Sequence, residues 1–188
     1  MIQPIVAYGH PILRTECIDA VPGPETDACV KDLIDTLAGT GLTGLGLAAP
    51  QINVGRRIFV HKSHNTVRVI INPKIKKRRV DLLPWEEGCL SIPNIYRKLK
   101  VRSKRVEVEY FDEKFELQKL KFDGRDSVVF QHEMDHINGI HFIDYLTPEQ
   151  RSEIMGDLNK ITIGDFTAVR KPDYDMLLAS GEVVKKNA

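Results

Sequence analysis

Two histidines four residues apart, with a glutamate directly after the first, constrain this chain more than any other feature. They lie in Gln131-His132-Glu133-Met134-Asp135-His136. On an α-helix, residues i and i+4 share a face with their Cβ atoms about 5–6 Å apart. Both imidazoles then converge on one metal ion, and Glu133 stands beside it as a general base for metal-activated water. The surrounding residues predict the helix independently. Gly124 precedes it, Val128, Val129, His132 and His136 share one broad face, and Asn138-Gly139 supplies a C-terminal stop. Histidines turned into a core are costly when unpaired, and a metal removes that cost.

Further elements follow from spacing. Pro22-Gly23-Pro24 turns into an N-terminal helix whose apolar positions are Val30, Leu33, Ile34 and Leu37. Short strand-like segments follow at 57–61, 66–72, 75–81, 106–111 and 117–122. Val106, Val108 and Tyr110 alternate against Glu107 and Glu109, and Leu120 and Phe122 against Lys119 and Lys121. A last helix starts at Thr147-Pro148-Glu149-Gln150, where Thr147 and Gln150 suit a capping box, and carries Ile154, Leu158 and Ile161 as its stripe. The expected class is α+β: antiparallel β-sheets around a central metal-binding helix, with an N-terminal helix and a C-terminal helix. The 188 residues make one domain's worth of chain, 1–188, large enough for its own core as a monomer. Residues 164–188 have weak periodicity and are expected to form a partly ordered tail.

Composition excludes several functions. The net charge of +1 gives no global pull towards nucleic acid or an anionic membrane. No apolar run approaches the roughly 18–20 residues of a membrane span. Met1-Ile2-Gln3-Pro4 lacks a signal peptide's basic and apolar regions, so a cytoplasmic location is expected. Three cysteines without a C-x-x-C pair are no disulfide framework. Cys17 and Cys29 read as packing residues. Cys89, in Glu86-Glu87-Gly88-Cys89-Leu90-Ser91, would complete a Cys-His-His set with one position open for water. Gly88 would allow backbone geometry there that a side chain blocks. In Gly44-Leu45-Gly46-Leu47-Ala48-Ala49-Pro50-Gln51, small residues admit a substrate backbone and Gln51 offers an amide donor for an oxyanion.

These three blocks, in this order, resemble the three motifs of the peptide deformylase family. The resemblance runs from Tyr8-Gly9-His10-Pro11 to the helix after Thr147. It implies a hydrolase that removes the formyl group from the N-terminal methionine of newly made proteins and releases formate. The metal ligands would be Cys89, His132 and His136, with Glu133 as general acid/base. The Gln51 side chain and the Leu90 N–H would form the oxyanion hole. Substrate would pair as an added strand near Gly44, Leu45 and Gly46, with Glu87 lining the pocket. The resemblance implies one divalent ion per chain, Fe²⁺ foremost, with Zn²⁺, Ni²⁺ or Co²⁺ able to substitute. His10 departs from the family, which usually carries Asp there, and residues 39–43 and 94–105 read unusually.

Two other readings start from the same residues. A zincin-type peptidase would take a third ligand downstream, from Glu149, Glu153 or the pair His141 and Asp144. A binding module would keep metal and peptide affinity without turnover. Asp135 is expected to orient an imidazole or to pair with Arg102. The basic runs 74–79 and 97–105 are expected to be guarded strand edges, with transient ribosome contact as the functional alternative.

Overall fold

The computed structural model describes residues 1–40, 44–64 and 66–162. The tail expected at 164–188 lies outside the described residues, as do 41–43 in the stretch that reads unusually. Helix α1 spans Pro24–Gly39. Strands follow as β1 (Gly46–Ala48), β2 (Ile58–Ser63), β3 (Thr66–Arg78), β4 (Leu82–Cys89), β5 (Ile92–Ser103), β6 (Arg105–Phe111) and β7 (Leu117–Asp123). Helices α2 (Gly124–His136) and α3 (Pro148–Thr162) complete the order. A five-stranded sheet runs β1-β2-β3-β6-β7, and β4 pairs with β5 in a second sheet. Every ladder is antiparallel, so the α+β architecture is as expected.

The large sheet is buried on both faces. Ile58, Val60 and Ile71 face a cluster with Leu33 and Leu37 of α1 and Leu158 of α3. Phe59, Ile70, Val106 and Val108 face a second cluster around Phe130 of α2. Phe130 meets Phe59 edge-on at 5.2 Å and stacks on Phe122 at 5.0 Å, which fixes α2 on the sheet. The other flank of α2 docks on the small sheet through Gln131. Its amide accepts from Ser103 N–H (3.0 Å) and donates to Ser103 C=O (2.9 Å), completing a backbone pair with a side chain. Thus the helix carrying both histidines is clamped between two sheets.

Three expectations are corrected. In α1, Leu33 and Leu37 are buried, but Ile34 is 38% exposed. The buried stripe runs instead through Thr26, Cys29, Leu33 and Thr36. Two threonines disguised it, and both are satisfied: Thr26 Oγ1 donates to Val21 C=O (2.7 Å), and Thr36 Oγ1 accepts from Gln3 N–H (2.8 Å). The segments expected at 66–72 and 75–81 form the single strand β3, which stops at Arg78 and leaves 79–81 outside it. Asn72 sits at φ +48° where the pairing register slips, and its side chain brackets Ala20 N–H and C=O at 2.8 and 2.9 Å. This is a bulge, which bends a strand without ending it. Strand β5 went unread because Asn94 at φ +61° breaks its alternation.

Other predicted details stand, with one exception at Leu120 on β7. Val106, Val108 and Tyr110 are buried, as are Ile154, Leu158 and Ile161. Thr147 N–H donates to Gln150 Oε1 (3.0 Å) and Gln150 N–H to Thr147 Oγ1 (3.3 Å), forming the capping box. Phe122 is buried while Leu120 stays 36% exposed. No helix among the described residues is long and apolar enough to cross a membrane.

Candidate active site

Helix α2 places the rings of His132 and His136 at 4.9 Å, edge to face. Cys89 ends β4, and its Sγ lies 3.2 Å from His136 Nε2. One donor atom from each of Cys89, His132 and His136 falls within 4.8 Å of the others. A thiolate and two imidazoles at that spacing suit a tetrahedral cation with metal–sulfur bonds of about 2.3 Å and metal–nitrogen bonds of about 2.0–2.1 Å. Burial keeps the His136 pKa well below the usual imidazole range, so the neutral ligand form is present.

The reason for Gly88 differs from the expected one. Its φ is unexceptional, but a Cβ there would meet the Tyr96 ring at 2.5 Å. Gly46 has the same kind of role: a Cβ would meet Glu133 Oε1 at 2.5 Å. The Glu133 carboxyl therefore rests directly on the β1 backbone. Glu133 is 4% exposed, and its Oε2 has no hydrogen-bond partner among the described residues. Burial pushes its pKa up to about 7, against the opposing pull of His132 and Arg102.

Gln51 Oε1 accepts from Ala48 N–H (2.9 Å), which turns the amide nitrogen towards Ser91 Oγ (3.2 Å) and Cys89 Sγ (3.6 Å). Leu90 occupies the tight β4–β5 turn, where Cys89 pairs with Ile92. Gly44, Leu45, Gly46, Glu87, Leu90 and Glu133 all line one cavity of about 300 Å³, whose outer wall includes Trp85 and Tyr96. Glu87 lines it, yet its carboxylate is directed inward. It accepts from His132 Nδ1–H (2.9 Å) and from Arg102 Nε and Nη2 (2.8 and 2.9 Å). Burial alone would raise its pKa, but those bonds outweigh it and hold the value at about 2. Arg102 also donates to Asp135 (2.5 Å), which accepts from Tyr145 Oη as well (2.9 Å). So Asp135 pairs with Arg102 and orients no imidazole directly.

Sequence reasoning missed the role of Ser91 and the bridging position of Arg102. Its place within the basic run 97–105 hid Arg102, the one arginine of β5 that is buried. Of the downstream alternatives, Glu149 and Glu153 are exposed on α3. Asp144 is held by Arg14. His10 caps the turn at Pro11–Arg14 by accepting from Ile12 N–H with Nδ1 (3.2 Å), the work an Asp oxygen does at such a site. In the basic runs, Lys76 pairs with Glu109 (3.3 Å), Arg97 with Glu153 (3.6 Å) and Arg105 with Asp123, so part of the charge is paired.

A family model described as polypeptide deformylase matches residues 2–152. The chain belongs to the polypeptide deformylase family. The peptide deformylase of Salinibacter ruber is 34% identical over 98% of this chain and 98% of its own length. That of Cytophaga hutchinsonii is 36% identical over 89% of this chain and 95% of its own. The crystal structure of the peptide deformylase from Thermus thermophilus superimposes with a TM-score of 0.80 at 34% identity, covering 86% of this chain and 98% of that one. The chain is thus a deformylase, an enzyme that removes the N-formyl group from newly made peptides. Deformylases are metal-dependent, and the Cys89, His132 and His136 cluster is where the described residues of this one offer such a site.

Proposed function

We propose that this deformylase holds one divalent ion with Cys89, His132 and His136 and moves the reaction's proton with Glu133. The observation that carries the proposal is the Glu133 carboxyl, buried beside both histidines, with one oxygen that has no partner among the described residues and a pKa near neutrality. A bound divalent ion supplies Lewis acidity, drawing charge off the formyl oxygen and lowering the pKa of water towards about 7. Glu133 takes a proton from the attacking water as its oxygen bonds to the formyl carbon. Gln51 Nε2–H and Leu90 N–H donate to the formyl oxygen as charge gathers there. Losing one such donor typically costs about 10²–10³ in rate. Glu133 then hands the proton to the departing nitrogen, the C–N bond breaks, and formate and a free amine leave. Glu87 keeps His132 in one tautomer, with its Nδ1–H pointed away from the ligand set.

The substrate backbone lies along β1, which is an edge of the large sheet and so has an unpaired side for an added strand. Gly44, Leu45 and Gly46 let it approach. The thiolate-bearing set suits Fe²⁺, with Zn²⁺, Ni²⁺ or Co²⁺ able to replace it. The enzyme acts as a cytoplasmic monomer on nascent chains, and its paired basic strands leave ribosome contact weak and salt-sensitive. Anaerobic formate release from a formyl-Met tripeptide tests the reading, with the N-acetyl peptide as control. Turnover of the formyl peptide alone is expected. Cleavage of an internal bond in an N-blocked peptide, or binding without turnover, would contradict it. The iron form should lose activity in air far faster than the nickel form. Equal half-lives would rule out iron as the air-sensitive element.

A further inference from the structure

The two ligand histidines are held unequally. His132 Nδ1–H donates to Glu87 at 2.9 Å. His136 turns Nε2 towards Cys89, while its Nδ1 is buried with no hydrogen-bond partner among the described residues. A histidine that coordinates through one nitrogen ordinarily gives the other N–H to a carboxylate, a carbonyl or a water. Beside His136 stands a second buried imidazole that the reaction does not use. The His141 ring is 1% exposed, and its centroid lies 5.7 Å from that of His136, at 80°. Both His141 nitrogens are buried and also lack a partner among the described residues. Buried polar atoms of native proteins are nearly always bonded, so three such nitrogens in adjoining rings call for one explanation.

A direct bond of about 3 Å between nitrogens needs rings closer than this, and a bridging water is the partner that a wider gap admits. The frame that sets the spacing is rigid. Gly139 sits at φ +72° with the Arg14 backbone where its Cβ would be, 2.7 Å from the nearest atom. Ile140 N–H donates to Asp135 C=O (3.0 Å), and His141 N–H to Asp144 (2.8 Å), itself fixed by Arg14. Tyr8 closes the far side of the His141 ring at 5.8 Å. An imidazole in its neutral form has one donor and one acceptor nitrogen, so the His141 ring can accept.

We propose that His141 is a positioning residue for the metal centre, accepting the His136 Nδ1–H through one buried water. It does for His136 what Glu87 does for His132, with a neutral acceptor in place of a carboxylate. The centre is then held by one charged and one neutral outer partner, and His136 is the ligand that loosens first when its support is removed. The inference rests on Cys89, His132 and His136 as the ligand set.

The test is the rate at which nickel-loaded enzyme gives its metal to excess chelator, for wild type, His141→Leu and His141→Gln. His141→Leu should release nickel about ten- to a hundredfold faster, the usual effect of losing an outer partner, and His141→Gln should recover most of that. The metal-free His141→Leu protein should melt no lower than metal-free wild type, because an unpaired buried ring has been replaced by an apolar one. Equal release from wild type and His141→Leu would overturn the proposal. Should the leucine variant not fold, ¹⁵N-histidine spectra of the zinc-loaded wild type decide. A slowly exchanging His136 Nδ1 proton supports the bridge, and rapid exchange overturns it. A wild type that binds no metal would instead defeat the ligand-set reading, and this inference with it.

Discussion

Replacing Gly46 with alanine tests whether the position of Glu133 controls the rate. The new Cβ would stand 2.5 Å from Glu133 Oε1 and 2.8 Å from its Cδ and Cγ, about 1 Å short of an ordinary contact of about 3.5 Å. Strand β1 has little room to retreat. Gly46 is in register with His61, and Lys62 N–H donates to Leu45 C=O at 2.8 Å. The carboxyl must therefore swing aside. A misplacement of about 1 Å in a reacting group costs on the order of 10²-fold. That is about 2.7 kcal/mol of barrier. The fold loses less, since what must move is the Glu133 side chain and not backbone. The assay is kcat for formate release from a formyl-Met tripeptide, with nickel content and melting temperature measured on the same sample. A drop of about a hundredfold with full metal content is expected. A kcat within about threefold of wild type would refute the reasoning, because Glu133 could then leave its seat on β1 without consequence.

Other perturbations follow from the same structure. Arg102→Met would leave Glu87 with only His132 and Asp135 with only Tyr145, two buried carboxylates without their counter-charge, since Arg102 is 3% exposed and bonds both. A loss of about 3–5 kcal/mol in denaturant unfolding at neutral pH is expected, and a loss under about 1 kcal/mol would contradict it. His61 is fully buried in the second core cluster against Phe122, with burial lowering its pKa to about 4. Asp126 pulls that value up, while Arg68 and Arg125 push it down. A depressed histidine pKa means that the unfolded chain takes up the proton first. Stability from this group is therefore whole above about pH 6.5 and falls by about 3 kcal/mol as pH drops to 4. His61→Leu should flatten that part of the stability curve relative to wild type, and parallel curves would refute the assignment.

The centre of the molecule was legible because its chemistry imposes spacing. His132 and His136 demanded a helix and Asn138-Gly139 a stop, and both are where the residues place them. The capping box at Thr147 was equally readable, because it depends on two side chains three residues apart. What stayed hidden depends on partners distant in sequence. The threonines on the buried face of α1 are satisfied by Gln3 and Val21, which no helical period announces. The bulges at Asn72 and Asn94 blurred the strand pattern of β3 and β5. Glu87 lines the pocket as expected, but its bonds to Arg102, fifteen residues on, and to His132 stayed hidden because they exist only after β4 and β5 pair.

The most direct test of the account measures metal content and formate release together on anaerobically prepared wild type and Glu133→Ala. About one metal ion per chain is expected in both proteins and turnover in wild type alone, because the ligands are Cys89, His132 and His136 while the proton belongs to Glu133. Substantial turnover by the variant with its metal in place would show that another group moves the proton, and the central claim would fall.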